Sequence, residues 1–292
     1  MRTGALPDPD RPWLDLDGAA GLPRLHLISG LPRSGSTLLS AILRQNPRFS
    51  AGVTTPVAAL IGALMPRMSG NSEFAPFFDD ERRRRILRGV FETYHGPAPG
   101  SGVVFDTNRS WTARAGLLRD LYPDARIICL VRDIGWIIDS VERILLRNPL
   151  QVSRALNFQA GATVYSRTET LMNSETGLVG LAWSSLREAW FGENAKSLIV
   201  IEYETFARDP RTTIARLYQE LKEPRFAHDF ENIVYDEPDY DATLGMPGLH
   251  QVRPKVERQD RAPCIPPDIF ATYAESSFWK RPDMNRRGVV IL

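Results

Sequence analysis

Apolar positions along this chain fall into short continuous runs that alternate with stretches of helical spacing. Leu25 to Ser29 (LHLIS) is an apolar run meeting a glycine- and proline-bearing turn, after which Leu38, Leu39, Ile42 and Leu43 recur at helical spacing until Asn46-Pro47. Two helices are predicted near 57–65 and 80–94, a second strand over Gly102–Asp106, and a helix over Trp111–Leu121. Arg126 to Val131 (RIICLV) is apolar after its first residue, as a strand buried on both faces requires. Ile137, Ile138, Val141, Ile144 and Leu145 then form one helical face. Residues 148–177 lose periodicity and are rich in Asn, Ser, Thr and Gln; a patternless stretch of that length predicts a substrate lid. A helix over 178–191, a fourth strand over Ser197–Tyr203 and a helix from Asp209-Pro210 to about Leu221 follow. Residues 236–267 are proline-rich with little pattern, and a last helix is expected near 267–276.

Strand and helix alternate throughout, which predicts an α/β fold, a parallel sheet covered on both faces. Residues 1–22, with several prolines and no apolar period, read as a loose arm, and 23–292 as one domain. The chain of 292 residues carries 36 Lys+Arg against 35 Asp+Glu, so no field of one sign marks nucleic acid or a membrane surface as partner. The run Glu81-Arg82-Arg83-Arg84-Arg85 shares its helix with the stripe Ile86, Leu87, Val90, Phe91 and Tyr94, and its arginines are read as solvating the helix start. The longest uncharged apolar run, Val57–Met65, is far short of the ~20 residues of a membrane span. The N-terminus has no secretory pattern, and Cys129 and Cys264 make neither a disulfide framework nor a metal cluster. A cytoplasmic, soluble protein is expected. The oligomeric state, a homodimer included, stays open.

Gly30-Leu31-Pro32-Arg33-Ser34-Gly35-Ser36-Thr37 fits the phosphate-loop pattern G-x-x-x-x-G-K-[ST] except at the lysine, where Ser36 stands. Such a loop turns backbone N–H groups towards an anion, and the following helix adds its positive end. Ser34, Ser36 and Thr37 carry hydroxyls, Gly35 lets the loop turn, and Arg33 adds a permanent cation. The missing lysine removes the group that reaches the outer phosphates of a nucleoside triphosphate. A second anion site is predicted at Arg132, which ends the third strand, with Ser140 eight residues on along the next helix. Strand ends of such a sheet face one crevice, so both sites would share a ligand. Asp133 as a magnesium ligand is the alternative that a kinase would need.

Together these elements resemble sulfotransferases that use 3′-phosphoadenosine 5′-phosphosulfate (PAPS), in particular bacterial members related to the tyrosylprotein type. Leu31 to Leu39 resembles their loop for the 5′-phosphosulfate, and Arg132 with Ser140 their clamp on the 3′-phosphate. Ile199-Val200-Ile201-Glu202-Tyr203-Glu204 with Arg208-Asp209-Pro210 is similar to the segment whose tyrosine lies against the nucleotide. Lys255-Val256-Glu257-Arg258 is similar to a late segment that closes over it. The resemblance implies a three-layer α/β sandwich of the P-loop type and metal-free in-line transfer of a sulfuryl group to a hydroxyl or amine of a small-molecule or peptide acceptor. It does not supply the base: Gly52-Val53-Thr54-Thr55-Pro56 lacks the glutamate of the tyrosylprotein enzymes, Asp106-Thr107-Asn108-Arg109 lacks their lysine, and no histidine stands where cytosolic sulfotransferases have one. Asp106, at a strand end, is a candidate base and equally a cap on the next turn. His250, in the late loop, is another candidate, and Arg109 is a candidate for stabilising charge. A small-molecule kinase and a non-catalytic nucleotide-binding protein are the other readings. Phe158, Tyr165 and the hydroxyls of 148–177 are the expected acceptor determinants.

Overall fold

A computed structural model describes residues 24–70, 72–96, 102–150, 152–153, 156, 163–257 and 261–292. The expected arm at 1–22, Phe158 and Arg258 lie outside them. The central sheet has six parallel strands in the order β2-β3-β1-β4-β5-β6: β1 (Arg24–Gly30), β2 (Phe49–Ala51), β3 (Val103–Thr107), β4 (Ile127–Val131), β5 (Leu198–Glu202) and β6 (Val290–Ile291). β1 occupies the middle, with Ile28 paired to Thr107 of β3 on one side and to Ile128 of β4 on the other. The chain leaves β1 towards β2 and β3, then returns past it to β4, so the loop after β1 sits where the winding reverses, the position at which open α/β sheets bind ligands.

Burial on both faces explains why β4 reads as a continuous apolar run. Ile127, Cys129 and Val131 join one core, Ile128 and Leu130 the other. The first core packs against α2 (Val57–Arg67), α3 (Asp80–His95), α4 (Ala115–Leu121), α5 (Ile134–Arg147), α6 (Val164–Met172) and α7 (Gly180–Phe191). The second packs against α1 (Ser36–Leu43), Phe206 of α8 (Tyr203–Arg208) and α9 (Pro210–Leu221). Two short helices, α10 (Pro238–Thr243) and α11 (Pro267–Thr272), belong to the late segment between β5 and β6. This is the three-layer sandwich that the alternation predicts.

Four differences from the sequence reading have local causes. β2 and β6 are too short to show a pattern, since they hold three and two residues. Trp111–Leu121 divides into a 3-10 turn over Arg109–Arg114 and then α4, because Asn108 caps the turn by accepting from the Ser110 N–H at 3.0 Å. The patternless 148–177 stretch contains α6, whose Val164, Leu171 and Met172 pack onto the first core on a short face interrupted by the buried Thr168, and an Arg167–Glu142 ion pair also joins it to α5. The expected helix near 267–276 stops at Thr272. On α3, Arg83 and Arg84 pair with Asp80 at 2.8 Å and Asp120 at 2.7 Å on the surface. Among the described residues no helix is long and apolar enough to cross a membrane.

His26, inside β1, makes the fold sensitive to acid. Its Nδ1 accepts the Arg126 backbone N–H at 3.1 Å, and its Nε2 is buried without a partner. Burial first, then the charges of Arg24 and Arg126, push it from 6.5 down to about 4. The unfolded chain therefore takes the proton first. The contribution is complete above pH 6.5 and is lost as pH falls towards 4, a span worth ~3 kcal/mol. Chemical denaturation across that window should show His26→Asn, which keeps an acceptor in place, with a visibly shallower loss of stability than wild type.

Candidate functional site

The carboxyl ends of β1, β3, β4 and β5 open onto one cavity of about 770 Å³, bordered by the loop after β1, Thr107, Arg132 and Tyr203. Its floor is the turn Leu31–Gly35 and the start of α1. Gly35 has φ 94° and no side chain to cap α1. A Cβ there would also stand 2.9 Å from the Tyr203 ring, so only glycine lets the loop lie against that tyrosine. The first amides of α1 have no acceptor within the helix, no acidic residue stands in its first turn, and Ser36 and Thr37 border the cavity beside them. Ser34 differs from expectation. Its hydroxyl is buried and donates back to the Pro32 carbonyl at 3.2 Å, so its side chain is not on the cavity wall.

Arg33 also departs from expectation, which keeps its cation in the loop and gives the second anion site to Arg132 and Ser140. Its backbone is in the left-handed region, φ 57°, which a non-glycine residue holds only under constraint. The constraint is visible: Nε donates to Ser140 Oγ on α5 at 3.1 Å, and the guanidinium donates to the carbonyl of Leu249. Burial, then the neighbouring Arg132 charge, lower its pKa to about 10, still a cation at neutral pH. The loop arginine thus reaches the second anion site, and the two form one continuous surface. Arg132 lies over the Tyr203 ring, 4.2 Å from its centroid, and its Nε donates to Glu204 Oε1 at 2.9 Å. Glu204 Oε2 is buried without a hydrogen-bond partner. Lys255 borders the same cavity from an exposed position, paired with Glu231 at 2.9 Å.

The candidate bases separate clearly. Asp106 is fully buried and is not on the cavity wall. Its carboxylate accepts from Trp111 Nε1 at 2.8 Å and Thr55 Oγ1 at 2.7 Å, and His95 Nε2, on the last residue of α3, lies 2.8 Å away. With these partners it braces β3 against its neighbours, set back from the cavity wall. Asp106→Asn should lower stability by ~2 kcal/mol through mismatched buried donors, while leaving nucleotide affinity unchanged in a titration. His250 does border the cavity, and Arg109 stands on the same wall. Asp241 of α10, fully buried, accepts the His250 backbone N–H on Oδ2 at 2.8 Å, and its Oδ1 lies 2.5 Å from ring Nδ1, leaving Nε2 as the ring nitrogen that Asp241 does not engage. Desolvation, opposed by Asp241 and assisted by the charges of Arg33 and Arg109, holds the His250 pKa below 6.5, so the ring is a neutral acceptor at pH 7.

Asp241 is absent from the sequence reading. Glu237-Pro238-Asp239 signals a helix start there, but nothing in the spacing announces a pairing with a loop residue nine positions on. Tyr165, expected among the acceptor determinants, is half exposed beside Asp268 and not on the cavity wall. From that region Thr176, Gly177 and Leu178 border the cavity, joined by Leu181, Ala182 and Ser185 of α7. Asp133 is held by Ser277 Oγ at 2.6 Å and Lys280 Nζ at 2.8 Å, away from the cavity.

Residues 27–227 match the family model described as the Sulfotransferase family. No curated protein matches the sequence. Solved structures similar to this chain include a sulfotransferase domain from the curacin biosynthetic pathway, 14% identical over 78% of this chain and 85% of that one, with a TM-score of 0.49. The sulfotransferase domain of the Synechococcus PCC 7002 olefin synthase is 17% identical over 88% and 96%, with a TM-score of 0.46. A sulfotransferase from Alicyclobacillus acidocaldarius is 20% identical over 77% and 90%, with a TM-score of 0.46.

Proposed function

The chain belongs to the sulfotransferase family, and from that premise we propose that it moves a sulfuryl group from PAPS to a hydroxyl or amine of a small-molecule or peptide acceptor, with His250 as the general base. One observation carries the reading: a lysine-free phosphate loop, the Arg132–Ser140 pair and His250 border the same cavity.

The donor set suits a nucleotide with phosphate at both the 3′ and 5′ positions. The first amides of α1 with Ser36 and Thr37 hold the 5′ end, Arg132 and Ser140 hold the 3′-phosphate, and Tyr203 and Lys255 flank the nucleoside. When bound, PAPS supplies the sulfuryl group, its sulfur–oxygen bond to the 5′-phosphate breaking as the acceptor atom bonds to sulfur, with the electron pair leaving on adenosine 3′,5′-bisphosphate. His250 Nε2 takes the acceptor's proton, Asp241 balances the resulting imidazolium, and Arg33 and Arg109 set a positive field where charge gathers. Asp133, bound to Lys280 and Ser277, is not available as the magnesium ligand a kinase would need.

Thermal shift separates the alternatives. Adenosine 3′,5′-bisphosphate should raise the melting temperature strongly and ATP with magnesium weakly. A response to ATP with magnesium alone rejects the donor assignment, and failure of labelled PAPS to transfer to any acceptor in a broad hydroxyl and amine screen rejects catalysis.

A further inference from the structure

His250 sits in a loop, and a loop imidazole is useful as a base only if its ring is held with the correct nitrogen towards the acceptor. Three attachments hold it. The Leu249 carbonyl receives the Arg33 guanidinium, the His250 backbone N–H donates to Asp241 Oδ2 at 2.8 Å, and ring Nδ1 lies 2.5 Å from Oδ1 of the same carboxylate. Tyr240 adds a ring contact, with centroids 5.5 Å apart.

Asp241 is itself rigid. The Leu244 and Met246 N–H groups donate to its carbonyl at 3.2 and 3.0 Å, closing the end of α10. The turn then passes through Gly245 at φ 64°, where a Cβ would collide with the Val152 carbonyl at 2.3 Å. The carboxylate therefore arrives from a short, closed helix end, and both of its oxygens are used by one residue. That double use is informative. The backbone N–H can only donate, so Oδ2 must accept, and the ring contact at Oδ1 must come from a protonated Nδ1 if the carboxylate is ionised. A protonated Nδ1 in a neutral ring leaves the lone pair on Nε2.

We propose that Asp241 is a positioning residue that fixes His250 in the Nδ1–H tautomer, with Nε2 as the proton acceptor for the attacking group. The inference rests on the base assignment above and deepens it. In the transfer step the acceptor's proton passes to Nε2, the ring becomes an imidazolium with Nδ1–H still on Oδ1, and the proton leaves to solvent after product departs. An amide in place of the carboxylate cannot serve both donors, because one of its two atoms is an NH₂ group. With its oxygen on the backbone N–H, the NH₂ group faces Nδ1 and drives the proton to Nε2, the unproductive tautomer.

The test is nitrogen NMR on the full chain labelled at histidine, in mildly alkaline buffer with adenosine 3′,5′-bisphosphate present. Four histidines keep the spectrum assignable, and the signal missing in His250→Gln identifies the residue. Wild type is expected in the Nδ1–H form and Asp241→Asn in the Nε2–H form, with kcat for sulfuryl transfer to 2-naphthol down by about 10²-fold or more and the KM for PAPS unchanged. A wild-type Nε2–H ring, or an Asp241→Asn ring that keeps Nδ1–H, overturns the proposal. If Asp241→Asn does not fold, the wild-type tautomer still decides it. The tautomer is read without turnover, so failure of the donor assignment shows separately, as the absence of a thermal response to the bisphosphate.

Discussion

Arg132→Ala weakens binding of adenosine 3′,5′-bisphosphate by about 10²-fold, measured by calorimetry or by the loss of thermal stabilisation. The size follows from what the guanidinium does in the free protein. It covers the Tyr203 ring at 4.2 Å and neutralises Glu204 at 2.9 Å, and the second Glu204 oxygen is buried with no hydrogen-bond partner. Removing the cation therefore deletes a charge-assisted contact and also leaves an uncompensated carboxylate beside the site of an incoming phosphate. The double variant Arg132→Ala/Glu204→Gln should recover part of the loss, because it removes the repulsion without restoring the contact. Arg132→Lys should recover little, since a compact ammonium does not reproduce the planar stack. An Arg132→Ala protein that binds the bisphosphate as wild type does would disprove the clamp.

His250→Ala lowers kcat by about 10²- to 10⁴-fold and leaves bisphosphate affinity within about twofold, the pattern of a group that works in the transition state rather than in donor binding. The wild-type pH profile should show the same group. Burial depresses the His250 pKa below 6.5, and its basic form is the neutral one. Activity is therefore expected to rise with pH through a midpoint below 6.5 and to stay level above it. In His250→Ala that acid limb disappears. Activity still falling between pH 6.5 and 8 on lowering the pH would point to a different base.

The part of the site proposed to bind the donor was legible in the sequence because it depends on local order. The loop Gly30–Thr37 lies between an apolar strand and an amphipathic helix, and Arg132 and Ser140 share one strand–helix unit, so spacing alone predicts that both face the crevice. Two details escaped because they depend on where side chains turn. Ser34 folds back to Pro32, and Arg33 leaves its own loop to reach Ser140 and Leu249. The proton-handling half was legible only as a pair of candidates. Asp106 and His250 both look suitable in one dimension, and the choice falls to Trp111, Thr55 and His95, which enclose Asp106, and to Asp241, which orients His250. These pairings span 5, 9, 11 and 51 residues and depend on which way polar side chains turn at strand and helix ends, which no pattern of apolar spacing encodes. α6 is hard to read because its apolar face is short, with the buried Thr168 interrupting Val164, Leu171 and Met172 among polar residues.

The bond from Arg33 to the Leu249 carbonyl joins residues 216 positions apart. The stretch matching the family model ends at residue 227, before Asp241, His250 and Lys255. On the reading proposed above, most of the donor contacts and the base fall on separate lengths of polypeptide, joined by this bond and by the packing of Leu244, Met246 and Leu249 into the first core. A transplant of residues 238–257 between relatives should carry the proton acceptor with it, provided the recipient keeps a loop arginine to latch the Leu249 carbonyl and an apolar floor for Leu244, Met246 and Leu249.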